Sequence, residues 1–259
     1  MPITAAPSVI FDFAFNPYAL LSLFGIVVDL VLIYLILSRG LQSSANKWFT
    51  LFLSFLVLWG IGEFLGRMSN NVIASNFWGS VSSPGYVFMS PVFFTFTLAY
   101  VGKESFLEGF GKRVLVFGSS LLMIFLVWNT DLIIVHTLKG IERVPWGWNG
   151  PSGDYFPIFI VWLESFFIVS LYLLIRYYRK VSDQLKKRQT LLIIIALLIP
   201  LIPGTFTDAL FPIIEVIFPG TAILFTSVLG MITTYAILKY KLFVINPATH
   251  FANIVKTMN

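Results

Sequence analysis

FPIFIVWLESFFIVSLYLLIRYYRKVSDQLKKRQTLLIIIALLIPLIPGTFTDAL, residues 156–210, decides the fold. Two apolar runs flank a short connection that carries Arg176, Arg179, Lys180, Lys186, Lys187 and Arg188. At 1.5 Å of rise per residue, about twenty helical residues cross the roughly 30 Å hydrocarbon layer of a bilayer. Each run is therefore predicted to be a transmembrane helix. The connection belongs on the cytoplasmic side, where short loops rich in Lys and Arg are held.

Working outward, the same alternation predicts an all-α bundle of seven transmembrane helices. The expected spans are residues 17–38, Trp48 to Met68, Pro84 to Val101, 114–133, 157–178, 190–210 and 220–240. Pro91 in the third and Pro200 and Pro203 in the sixth are expected to kink their helices. Alternate connections and the tail hold Arg39, Lys47, Lys103, Lys112, Arg113, the six cations above, Lys239, Lys241 and Lys256, which are 14 of the 17 Lys and Arg. The opposite connections hold Lys139 and Arg143, with Arg67 near a helix end. This bias places the C-terminus in the cytoplasm and, across seven spans, the N-terminus outside.

The division that follows is an extracytoplasmic segment 1–16, a membrane domain 17–241 and a cytoplasmic linker 242–259. Residues 1–16 lack the basic start of a signal peptide. Residues 69–83 read as a polar outer loop. Residues 134–156, with Pro145-Trp146-Gly147-Trp148-Asn149-Gly150-Pro151, read as a longer one whose turn formers exclude a regular helix. Its two Trp either rest at the membrane interface or help to cover a ligand entrance.

Composition agrees and narrows the chemistry. The 259 residues are 58% hydrophobic and 11% charged, with a mean hydropathy of +0.88; soluble domains carry about 25% charged residues. With no cysteine and two histidines, His136 and His250, disulfides, thiolate nucleophiles and a histidine-built metal centre in the bilayer are excluded. No cofactor and no metal site are expected. The net charge of +5 flanks the apolar runs, so it speaks for the membrane and against nucleic acid.

Three pieces of sequence carry a resemblance. One is Asn46 to Leu65, NKWFTLFLSFLVLWGIGEFL. Another is Lys186-Lys187-Arg188-Gln189 opening a span with Pro200 near its middle. The third is the exit Tyr235 to Pro247, YAILKYKLFVINP. Together they resemble the N-terminal seven-helix sensor region of prokaryotic membrane histidine kinases, over about residues 17–258. The resemblance implies a signal-sensing input module in a prokaryotic plasma membrane. Its last helix would lead, in cis, into a kinase or a PAS- or GAF-type output domain, with a homodimer as the assembly. Lys239, Tyr240, Lys241, Leu242, Phe243, Asn246 and Pro247 would carry the relay. The stimulus would be an unidentified small ligand or a lipid. The sequence has no room for kinase catalytic domains, and His250 lacks the acidic residue and proline of a phosphoacceptor box. The chain is then either an isolated input module or part of a longer product.

Five ionisable residues fall in or near the spans: Asp29, Glu63, Arg67, Glu164 and Asp208. Such groups cost several kcal/mol unless they face the bundle interior and find partners. Glu63 and Arg67 stand four apart on one helical face, with Trp59 and Asn70 on the same stripe. Two readings stand: a structural ion pair, or one wall of an outward-facing pocket completed by Glu164 and Asp208. Asp29, near mid-membrane, reads as a helix–helix hydrogen-bond partner. An opsin is excluded because residues 221–236 hold no lysine for a retinal Schiff base. A small-solute transporter or channel is the alternative; the Pro200 and Pro203 pair favours it, and the lack of an internal repeat opposes it.

Overall fold

The computed structural model describes residues 7–41, 43–135 and 140–239. Helix α1 spans Ala19–Arg39, α2 Ser44–Met68 and α3 Val72–Tyr100. Helix α4 spans Phe110–Asn129, α5 Phe156–Lys180, α6 Gln184–Ile213 and α7 Ala222–Lys239. Among the described residues six of these, all but α3, are long and apolar enough to cross a membrane. The chain is thus a multi-pass helical membrane protein.

The starts of the helices follow local chemistry. Ser43 and Asn71 each accept a backbone N–H three residues on, from Asn46 at 3.1 Å and from Ala74 at 2.8 Å, and so cap α2 and α3. Asp183 caps α6 by accepting from Leu185 N–H at 2.8 Å. Pro157 sits in the first turn of α5, where its missing N–H costs nothing.

Packing closes a ring. Helices α1, α2, α3, α5, α6 and α7 follow one another around the bundle, α7 returns against α1, and α4 leans on the outside of α3. Phe49 and Phe52 of α2 and Phe93 and Phe96 of α3 are fully buried, with ring centroids 5.0 to 5.7 Å apart. Glycines bring α2 and α3 together: a Cβ on Gly62 would lie 2.4 Å from Ser82 Cβ, and one on Gly85 would lie 2.5 Å from Trp59 N. Small residues at such contacts are how helices pack closely where water supplies no drive to associate.

Helix α3 corrects the expected boundaries. The stretch 69–83, expected as a loop, is mostly helix, because Asn71 caps it and the helix starts at Val72. From Met89 to Tyr100 every residue of α3 is buried, so its neighbours cover it on all sides and it shows little to lipid. That explains how it can hold Ser82, Ser83, Ser90, Thr95 and Thr97. The prolines do not end their helices either. Helix α3 runs on through Pro84 and Pro91, and α6 runs through Pro200 and Pro203 into a π-helical turn, Thr205–Leu210. A second π turn, Val114–Gly118, lies in α4, which starts at Phe110 rather than 114 and ends at Asn129 rather than 133.

One end of the bundle is tied down by the segments that precede and join the helices. Ala14 N–H donates to Met68 O at 2.7 Å and Asn70 N–H to Asp12 O at 2.9 Å. A hairpin of β1, Glu142–Val144, and β2, Gly147–Asn149, lies across the same end, where Trp148 Nε1 donates to Ser69 O at 3.0 Å. The basic connections lie at the other end. His136, Lys139, His250 and residues 240–259, with the relay positions Tyr240, Lys241, Leu242, Phe243, Asn246 and Pro247, lie outside the described residues.

Candidate functional site

At the hairpin end a polar pocket of about 320 Å³ opens between α2, α3, α6 and the loops. Glu63, Arg67, Trp59 and Asp208 line it, together with Trp146 and Trp148 of the hairpin. Glu63 and Arg67 form the expected ion pair, Arg67 Nε and Nη2 both donating to Glu63 Oε1, with the Nε bond at 3.0 Å. Their side chains are 8% and 18% exposed, Arg67 the deeper. Glu63 Oε2 and Arg67 Nη1 are buried without a hydrogen-bond partner.

The pair does more than neutralise itself. Arg67 Nη2 also donates to Gly220 O at 2.9 Å, reaching from α2 to the residues that lead into α7. Asp208, in the π turn of α6, accepts the N–H groups of Thr221 and Ala222, each at 3.1 Å. A helix start leaves its first N–H groups without intrahelical partners. For α7 a carboxylate from α6 supplies that cap. Thr207 donates to the same Asp208 oxygen and lies 3.0 Å from Thr221 Oγ1. Gly220 is needed for this approach, since a Cβ there would stand 2.6 Å from Asp208 Oδ1. Two charged side chains from two helices thus hold the head of α7.

Glu164 lies next door. It lines an adjoining apolar cavity, of which Trp59 and Asp208 are also walls, and its Oε1 accepts from Thr205 Oγ1 at 3.0 Å. The structure therefore gathers Glu63, Arg67, Asp208 and Trp59 at one pocket and places Glu164 on its neighbour. Asn70 departs from the expectation. Helix α2 ends at Met68, so the helical stripe does not reach it. Asn70 is exposed at the hairpin end, where its side-chain oxygen accepts from Arg143 Nη1 at 3.3 Å. Asp29 accepts from Ser227 Oγ of α7 at 3.3 Å, an inter-helix bond as expected. Lys239, the one relay residue described, donates to Tyr235.

Thr205, Thr207, Gly220 and Thr221 were not anticipated from the sequence. The run Thr205-Phe206-Thr207-Asp208, with two hydroxyls just ahead of a carboxylate in an apolar span, is the available signal. Trp146 and Trp148 both line the polar pocket. Trp148 also receives Arg143 at 5.4 Å over its ring, and Trp146 meets Tyr18 edge-on at 6.2 Å.

No curated protein matches the chain. Residues 20–247 match the family described as the N-terminal 7TM region of histidine kinase. That span takes in the cluster on α2, α5, α6 and α7 and the exit of the last helix. The protein is a membrane sensor module of that kind, one that precedes a histidine-kinase-type output domain. It belongs to the family of N-terminal seven-transmembrane regions of histidine kinases.

Proposed function

We propose that all seven long helices cross the membrane, with the hairpin end outside and the basic end in the cytoplasm. In this reading the outer pocket of Glu63, Arg67, Asp208 and Trp59, with Glu164 beside it, receives the stimulus. Helix α7 relays it through residues 240–247 to the output domain in cis. At 29 residues, α3 is about 43 Å long, enough to span despite its polar residues.

One observation carries the proposal: two of the pocket's charged groups, Arg67 and Asp208, are the groups that hold α7. A ligand that engages Asp208 or Arg67 competes with the backbone of Gly220, Thr221 and Ala222, so occupancy and the placement of α7 share one free energy. Such competition biases two arrangements of a helix and leaves the rest of the bundle in place.

The native chain has no cysteine, so a single engineered pair tests the relay cleanly. In the kinase-linked protein, T207C/T221C replaces two hydroxyls 3.0 Å apart with thiols whose disulfide fastens α7 to α6. Asp208→Ala releases the same head. In proteoliposomes the oxidised pair and the Asp208 variant should move autophosphorylation several-fold in opposite directions, and reduction should reverse the first. Unchanged autophosphorylation in both, with the cross-link verified, would overturn the relay.

A further inference from the structure

Beside the outer pocket lies the second cavity, about 250 Å³, lined by residues of α2, α3, α5, α6 and α7. Its walls are apolar and aromatic, with Trp59, Tyr86, Phe159, Phe167, Leu197 and Pro200 among them. The charged side chains on those walls are Glu164 and Asp208, both acids, and no Lys, Arg or His joins them. Each acid has one oxygen engaged. Glu164 Oε1 takes the Thr205 hydroxyl, and Asp208 Oδ2 takes the head of α7. Among the described residues the other oxygen of each receives no hydrogen bond. Arg67, the arginine in the site, pairs with Glu63 and donates to Gly220, and its charge also reaches Asp208, so one guanidinium stands against the three carboxylates of Glu63, Glu164 and Asp208.

An apolar cavity inside a membrane protein with two carboxylates and no cation on its own walls carries an excess of negative charge. Charge at that depth is costly until a counter-charge arrives. Aromatic faces attract a cation as well, most of all a desolvated one beside Trp. The size of the cavity limits the guest. It has the bulk of about eight water molecules and falls just below the roughly 300–1,000 Å³ of drug-sized pockets. We infer that this cavity binds a small organic cation, an aromatic or alkyl ammonium of about eight to ten non-hydrogen atoms. The ammonium lies against Glu164 and Asp208, and the apolar body lies among Phe159, Phe167 and Leu197. A neutral molecule would leave the carboxylates unanswered, and an anion would be repelled. The inference rests on the sensing role proposed above for its consequence, because a cation drawn to Asp208 loosens that residue's hold on α7. The binding itself requires no signalling.

Binding is measured on the whole chain in nanodiscs, by quenching of tryptophan fluorescence and by thermal shift, with three probes of one shape. These are 2-phenylethylammonium, 2-phenylethanol and phenylacetate. The cation should bind saturably, at least tenfold tighter than the alcohol, with no binding of the anion. Glu164→Gln should remove at least tenfold of the cation's affinity and leave that of the alcohol unchanged. Equal affinity for cation and alcohol, preference for the anion, or no saturable binding of the cation overturns the inference. The comparison of probes uses the unaltered chain, so it decides the matter even where a variant fails to fold. Autophosphorylation of the kinase-linked protein separates the two proposals. A cation that binds without changing output counts against the sensing role and not the binding site. Absent binding, with the T207C/T221C lock still effective, counts against the binding site and not the relay.

Discussion

Replacing Glu63 with Gln strips the buried Arg67 guanidinium of its carboxylate. At 8% exposure the charge left behind has little water to turn to, and breaking a buried pair from one side costs about 3–5 kcal/mol. The exchanged variant, E63R with R67E, restores opposite charges one turn apart and should recover most of that loss. It does not recover the bond from Arg67 Nη2 to Gly220 O, 2.9 Å in the native chain. A glutamate at 67 has no donor to offer, and an arginine at 63 starts a full turn deeper. A hydrogen bond to a charged group is worth about 1.5–3 kcal/mol, so the exchange should stay lower than the unaltered chain by about that amount. The assay is unfolding in detergent of Glu63→Gln and of the native chain, E63R, R67E and their double variant, alongside autophosphorylation of the kinase-linked forms. The exchanged variant should fold and yet signal abnormally. Full recovery of both stability and output would refute the anchoring of α7 by Arg67, and a loss under about 1 kcal/mol for Glu63→Gln would refute a desolvated pair.

Gly85→Ala places a Cβ 2.5 Å from Trp59 N and 2.6 Å from Phe55 O; it should cost at least about 1–3 kcal/mol of stability in a detergent melt. Gly79→Ala, whose Cβ meets nothing within 4 Å, should instead gain about 0.5–1 kcal/mol from helix preference alone. Reporter fusions at 102–109 and 181–183 should be cytoplasmic and a tag at 140–150 accessible from outside, and the reverse pattern would reject the orientation. One to four residues inserted between Leu242 and Pro247 should shift kinase output periodically, by about 100° of rotation per residue, whereas constant output across the series would reject transmission through that segment.

The sequence disclosed most of this architecture because long apolar runs and their basic flanks report the cost of putting peptide and charge into hydrocarbon. It disclosed α3 poorly for the same reason. The first turns of α3 are only partly buried and pack among polar loops, so they carry few long apolar side chains and the run from Ser69 to Ser83 reads as a loop. Glu63 with Arg67 was legible because helical spacing fixes which side chains meet within one helix. The grip of Asp208 on Thr221 and Ala222 was not, since no local spacing says that a loop will fold back on the carboxylate of the preceding helix. Asn70 departs in the opposite sense: helical spacing puts it on the Glu63 stripe, but the helix stops at Met68, two residues short of it.

The covered position of α3 also bears on how the protein is made. A segment this polar gains little by leaving the translocation machinery for lipid alone, whereas α2 can do so. With Gly62 and Gly85 shaped for close contact, the economical route is for α2 and α3 to leave together as a hairpin, each masking the other's polar or small-residue side. A large residue at Gly85 would then act before any folded bundle exists, as lowered membrane insertion and early degradation of the nascent chain.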